Sequence, residues 1–228
     1  MPKWLILAVF FVSGCSSVTT GVRYPEKPKI FSERVSHLRC KIEGANDFEK
    51  EFIAETLSIM PGGVQQAIDR IVVHKEKTAD FKDVAAYCEY IGGKNEIHIL
   101  REKLSRSILW HEAAHAYDFS LGLDDDAEWL RAVGDGLGHT DGRVYPSRGV
   151  LKRYGARNWL EDRAVWVEYV YCLVSGAWHP FPHITDAADG RYRQKLDLLL
   201  ARGFISRTDY ESVLKVLPKK MEVGGGKR

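Results

Sequence analysis

Two histidines and a glutamate lie within one five-residue stretch of the sequence, HEAAH at positions 111–115. In an α-helix, residues four positions apart project from nearly the same face, so His111 and His115 can direct ring nitrogens at one metal ion. Glu112 lies about 100° around the helix and can reach a water molecule on that ion without binding the ion itself. The spacing therefore predicts a zinc site with a general base beside it.

The residues around this motif are mostly apolar or small, which favours a buried helix over residues 105–121, ended by Gly122. Ionisable side chains on a buried helix are costly unless a metal ion or polar partners satisfy them. This context supports the zinc hypothesis. Under the alternative hypothesis, the two histidines are ordinary core residues and Glu112 is their ion-pair partner.

A catalytic zinc ion usually takes three protein ligands, so one more must come from elsewhere in the chain. The metzincin class of peptidases is excluded, because it needs glycine and histidine where this sequence has Asp118 and Leu121. A later helix offers Glu161 and Glu168, which are seven residues apart and therefore lie on one face. His139, in a glycine-rich loop, is a further alternative.

The segments HEAAHAYD and YGARNWLEDRA together resemble the catalytic core of the zincin peptidases of the anthrax lethal factor and Pro-Pro endopeptidase group. The resemblance is strong over roughly 60 to 70 residues. In that group a tyrosine stands seven positions before the glutamate that completes the zinc site, as Tyr154 does before Glu161. The resemblance implies one Zn²⁺ per chain, with these roles: His111, His115 and Glu161 as ligands, Glu112 as general base, and Tyr154 as the hydroxyl facing the oxyanion.

Asp118 matches the aspartate that follows the motif in this group, and the resemblance implies that its carboxylate accepts a hydrogen bond from a ligand histidine. Two features depart from the group. Val165 stands where its members often carry a second glutamate, and the acidic insertion DDDAEW at positions 124–129 has no counterpart. These departures leave Glu168 and His139 open as alternative third ligands.

The function that we expect is that of a zinc-dependent endopeptidase, which hydrolyses peptide bonds of a protein or peptide substrate with water activated by Glu112. We expect the substrate to bind in extended form, with the strand EIHIL at positions 96–100 as an edge strand that pairs with it. The alternative is a catalytically silent zincin-fold lipoprotein that acts as a binding or assembly module at the cell envelope.

The N-terminal sequence MPKWLILAVFFVSGCSS indicates export and lipidation. A short basic region precedes an apolar run too short to span a bilayer, which is typical of a signal peptide over residues 1–14. The residues up to Cys15 resemble the lipobox of bacterial lipoproteins, so we expect acyl chains on Cys15 and a flexible tether over residues 15–30. The resemblance implies a lipid-anchored envelope protein, at the periplasmic face of the outer membrane or at the cell surface if the bacterium is diderm.

The composition narrows the remaining function classes. A net charge of +2, with scattered basic residues, gives no reason to expect nucleic acid as a partner. The length favours one catalytic domain over residues 31–218, followed by a disordered tail over residues 219–228. Cys40, Cys88 and Cys172 form no CxxC pair, so we interpret them as buried thiols, with at most one disulfide among them.

Periodicity predicts an α+β fold of the zincin type, with a small mixed sheet before the active-site helix and helices after it. A helix capped by Asn46 or Asp47 opens the domain, and glycines at positions 92 and 93 favour a hairpin between two strands. A long buried helix is expected to end near Gly176. Two C-terminal helices follow, the second with Ser206 as its N-cap.

Overall fold

The structure is a computed structural model that describes residues 38–81, 84–123, 126–138, 145–177 and 189–217. The chain divides into two compact units, residues 1–120 and residues 121–228. Over the described ranges the fold is mixed α+β, with a four-stranded sheet and seven α-helices. No helix in these ranges combines the length and the apolar character needed to cross a bilayer.

The sheet of the first unit has four strands: β1 (Lys41–Glu43), β2 (Arg70–His74), β3 (Ala86–Ile91) and β4 (Lys94–Leu100). Their order is β1-β2-β4-β3. β1 pairs with β2 and β2 with β4 in parallel, whereas β3 and β4 form the antiparallel hairpin that the sequence predicts. The two residues between them, Gly92 and Gly93, both have positive φ, a backbone conformation that glycine adopts without strain.

The prediction that EIHIL forms an edge strand is wrong. These residues belong to β4, which is hydrogen-bonded to β2 on one side and to β3 on the other. The backbone N–H and C=O groups of an interior strand are already used by its neighbours, so no peptide can add beside it. The edges of the described sheet are β1 and β3.

The two faces of the sheet differ sharply in character. Ile71, Ile97 and Cys88 are in register on one face and are buried. On the opposite face, Arg70, Glu96 and Glu89 occupy the adjoining register positions. This alternation follows from the two-residue period of a strand. We call the face that carries the three charged residues, beside apolar ones, the charged face, and the opposite face the apolar face.

Three helices complete the first unit: α1 (Asp47–Ser58), α2 (Gly62–Gln66) and α3 (Arg106–Leu121). Asn46 caps α1, and its side chain exchanges hydrogen bonds with Glu49 in a capping box. The Trp110 indole of α3 donates to the Thr56 carbonyl of α1 at 2.9 Å. The amide of Asn95 donates to the carbonyl of Ala116, which ties α3 to the apolar face of the sheet.

The second unit is helical: α4 (Ala127–Val133), α5 (Trp159–Val174), α6 (Arg191–Ala201) and α7 (Arg207–Val216). The predicted long helix is α5, which is buried over most of its length. The prediction for Ser206 is confirmed, because its side chain accepts from the backbone N–H of Asp209 and forms a capping box at the start of α7. α5 packs against α7, and the Tyr171 hydroxyl of α5 donates to the Phe204 carbonyl at 2.9 Å.

The three cysteines of the described residues are free thiols, and all are buried. Burial raises the pKa of Cys40 to about 11 and that of Cys172 to about 12, and it raises the pKa of Cys88 well above its ordinary value. The thiolate that a metal ion needs as ligand is therefore disfavoured at each position. The expected signal peptide, Cys15, the tether and the C-terminal tail lie outside the described residues.

Candidate metal site

The two histidines of the motif face each other on α3. His111 Nε2 and His115 Nε2 are 3.2 Å apart, and the ring centroids are separated by 4.9 Å. The side chains are only 2% and 3% exposed. The geometry follows from the four-residue spacing, since one helical turn places both imidazoles on one face. Two nitrogens at this separation fit around one divalent ion, because the ligand atoms of a tetrahedral zinc site are roughly 3.3 Å apart.

Glu112 and Asp118 share the helix with these histidines, and both are buried. The Glu112 carboxylate lies near the sheet, because its negative charge, after burial itself, raises the pKa of the Cys88 thiol on β3. The structure therefore places the predicted general base one residue from the first histidine, buried beside the sheet.

Glu161 lies in the first turn of α5 and is 3% exposed. The Asn158 side chain caps this turn and accepts from the backbone N–H of Glu161 at 2.9 Å. A carboxylate near a helix N-terminus is stabilised in its charged form by the helix dipole. Glu161, like His111 and His115, is buried and offers one ligand atom for a metal ion.

The alternative ligand Glu168 lies two turns after Glu161 on the same face of α5, and it is ion-paired. Lys152 Nζ donates to its carboxylate at 2.6 Å, and the Glu168 side chain is 6% exposed. A charge buried this deeply needs a partner of opposite sign, and Lys152 supplies it. Lys152 thus holds the Glu168 carboxylate in an ion pair within the second unit. His139, the other alternative, lies outside the described residues.

Tyr154 lies in the turn that precedes α5, and the guanidinium of Arg157 stacks on its ring at 4.7 Å from the centroid. Gly155 fixes the path of this turn, because a Cβ there would lie only 3.2 Å from the Asp162 Cα. The turn and the start of α5 are therefore packed closely together. Tyr154 therefore belongs to a turn that contacts the first residues of α5.

A second group of side chains with ligand atoms was missed in the sequence. Glu89, Glu96 and His98 lie on the charged face of the sheet, with one ligand atom from each within 4.8 Å of the others. The sequence predicts the hairpin between β3 and β4, and the register of this hairpin sets Glu89 opposite Glu96. The group could therefore have been found from the sequence only by working out that register.

One solved structure is similar to the chain, that of a candidate zinc-binding metallo-peptidase from Bacteroides caccae. The TM-score is 0.41 at 13% sequence identity, and the match covers 81% of this chain and 80% of that chain. No family model and no curated protein matches the chain. The case for a function therefore rests on the side chains of this protein.

Proposed function

We propose that the protein is a zinc-dependent endopeptidase. The observation that carries the proposal is the pair of buried imidazoles on α3, with His111 Nε2 and His115 Nε2 3.2 Å apart and Glu112 between them in sequence. Imidazole nitrogens are common ligands of zinc, and a four-residue spacing on a helix lets two of them bind one ion. The order of a catalytic HExxH motif then assigns the base role to Glu112.

Glu161 is proposed as the third ligand. It is buried and lies in the first turn of α5, which the Asn158 side chain caps. The neighbouring acidic residues of α5 are engaged elsewhere, since Glu168 pairs with Lys152 and Asp162 pairs with Lys195. Two imidazoles and one carboxylate are a common donor set of catalytic zinc, and they leave a coordination position for water.

When bound, zinc would acidify a water molecule and polarise the scissile carbonyl. The protein supplies the remaining steps. Glu112 takes the proton of the attacking water on its carboxylate and passes it to the nitrogen of the leaving amine. The Tyr154 hydroxyl donates a hydrogen bond to the oxygen on which negative charge develops. Asp118, buried on the same helix, is proposed to orient a ligand histidine.

The substrate and the location are also proposals. A protein or peptide bound in extended form needs a free strand edge, and in the described sheet β1 and β3 provide one. Lipidation at Cys15 would hold the enzyme at the cell envelope, where it would act on envelope proteins or peptides.

The test is zinc analysis of the purified full chain, beside the variants His115→Ala, Glu161→Ala and Glu168→Ala. We expect zinc in the wild type and its loss in the first two variants, whereas Glu168→Ala keeps it if it folds. Wild-type protein without zinc would overturn the proposal, and loss of zinc in Glu168→Gln with retention in Glu161→Gln would exchange the ligand assignments.

A peptide-library digest separates an enzyme from a silent binding module. We expect the wild type to cleave and Glu112→Gln to retain zinc without cleaving. A zinc-loaded wild type that cleaves no peptide and no envelope protein would favour the binding module.

A further inference from the structure

The charged face of the sheet carries a compact group of side chains that the proposed peptidase chemistry does not use. Glu89 on β3 and Glu96 on β4 are directly opposite each other, and His98 lies two residues further along β4 on the same face. We call Glu89, Glu96 and His98 the sheet cluster. α3 packs on the other face of the sheet, where Asn95 donates to the Ala116 carbonyl. The sheet cluster is therefore separate from His111 and His115.

His98 Nε2 is the central atom of the sheet cluster. The His98 residue is 8% exposed, and its Nε2 makes no hydrogen bond with any part of the chain that the structure describes. This nitrogen lies 3.0 Å from Glu89 Oε1 and 3.8 Å from Glu96 Oε2. These separations lie on either side of the roughly 3.3 Å expected between ligand atoms of a tetrahedral zinc ion.

Two aromatic neighbours hold the His98 ring in this orientation. Its Nδ1 is 3.0 Å from His74 Nε2, and the Tyr87 ring stacks on it with centroids 4.7 Å apart and planes 7° from parallel. Burial lowers the pKa of both His74 and His98. In the tautomer that carries the proton on Nδ1, His98 donates to His74 and keeps a lone pair on Nε2, the arrangement found in metal-binding histidines.

The charges around the sheet cluster also favour a cation. Two carboxylates face one guanidinium, that of Arg70, which is ion-paired with Glu96. The carboxylates of Glu89 and Glu96 and the guanidinium of Arg70 sum to a net charge of −1. Arg70 is also suited to fix the orientation of the Glu96 carboxylate, as the hydrogen-bonded neighbours of metal ligands commonly do.

We propose that Glu89, Glu96 and His98 bind a second divalent cation of the zinc type, on the face of the sheet opposite α3. One imidazole and two carboxylates are ligands that zinc accepts, and they leave a position for water. The ion would cross-link the edge strand β3 to β4, so it would stabilise the hairpin. This proposal does not rest on the proposed peptidase function.

The test is titration of the metal-free full chain with Zn²⁺ by isothermal calorimetry, with the zinc content after dialysis as a second readout. We expect two ions per wild-type chain. Glu89→Gln should remove one and His115→Ala the other. Glu102→Gln, which changes an exposed glutamate next to the sheet, is the matched control and should bind as the wild type does.

His74→Phe supplies a second variant, because it keeps an aromatic ring but removes the acceptor for His98 Nδ1. It should weaken zinc binding at the sheet cluster by roughly 10–100-fold and leave the other site unchanged. Circular dichroism of each variant shows whether it is folded.

The outcomes separate the two proposed sites. A single ion lost only in His115→Ala would overturn the sheet cluster and leave the peptidase proposal standing. A single ion lost only in Glu89→Gln would do the reverse. Unchanged zinc binding in both Glu89→Gln and His74→Phe would likewise overturn the second site.

Discussion

The helices α3 and α5 each have 16 residues, and each buries several ionisable side chains. The two helices differ in the contacts that these side chains make. On α5, Arg163 pairs with Asp126 at 2.6 Å and Asp162 pairs with Lys195 at 2.6 Å. On α3, His111 and His115 face each other, two groups of the same kind. The buried ion pairs in this comparison are therefore those of α5.

The difference separates two uses of buried polarity. An ion pair neutralises its charges within the protein, so the pairs of α5 contribute to a fixed arrangement of helices. His111 Nε2 and His115 Nε2 are 3.2 Å apart, a separation at which two imidazole nitrogens can bind one cation. We therefore interpret the ion pairs of Asp162 and Arg163 on α5 as structural, and the HEAAH side chains of α3 as functional together with Glu161 at the start of α5.

The largest expected effect is on activity, from a change in α3. Glu112→Gln keeps the size of the side chain and removes the base, so kcat/KM should fall about 10²- to 10⁴-fold. The free energy of unfolding should change by less than about 1 kcal/mol, because the substitution is nearly isosteric. Peptide hydrolysis and urea unfolding measure the two quantities. Loss of stability without loss of activity would show that Glu112 is structural, and α3 would then not differ from α5 in the role of its buried polar residues.

The next effect is on stability, from a change in α5. Arg163 is fully buried, with its guanidinium between the rings of Trp129 and Trp159. Arg163→Met leaves Asp126 with less compensation and should lower the free energy of unfolding by about 3–5 kcal/mol. The control Arg193→Met breaks an exposed pair with Asp197 and should cost at most about 0.5 kcal/mol. Equal costs in urea unfolding would contradict a structural role for the buried pair.

A somewhat smaller and pH-dependent effect is expected at Lys195. Burial lowers the pKa of Lys195 and raises the pKa of its partner Asp162, which also accepts from the Trp129 indole. Lys195→Met should cost about 3 kcal/mol at pH 8, because an ionised Asp162 then lacks its ammonium partner.

The sign of the pH dependence follows from Asp162. Without Lys195, the folded-state pKa of Asp162 rises further above its unfolded value. A group with a raised folded-state pKa stabilises the fold at low pH and loses that contribution as pH rises through the folded-state pKa. The cost of Lys195→Met should therefore be smaller at pH 5 than at pH 8. Urea unfolding at the two pH values measures this, and a larger cost at pH 5 would contradict it.

The smallest effects are expected at the helix caps, which should not distinguish the two units. Asn46→Ala and Ser206→Ala each remove one side of a capping box, so each should lower stability by about 1 kcal/mol. Thermal unfolding measures both, with Ser58→Ala as an exposed control outside a cap. A cost above about 2 kcal/mol at either cap would show that the difference between the units extends beyond their buried charges.

Much of the local structure was predictable because its causes are local. Asn46 and Ser206 cap helices, and Gly92 with Gly93 turns a hairpin, through contacts within a few residues. The long buried helix was predictable from its high content of apolar and aromatic residues. The edge position of EIHIL was predicted wrongly, because nothing in that segment reports that β2 pairs beside it from 26 residues earlier.

The sequence alone determined that His111 and His115 share one face of a buried helix, with Glu112 beside the first, because helical periodicity fixes those relations. Only the tertiary structure decided that Glu168 is paired with Lys152, that Asp162 is paired with Lys195, and that Glu89, Glu96 and His98 meet. These relations join residues that are far apart along the chain or lie on different strands. Their partners are set by strand register and helix packing, which depend on the burial of the whole core.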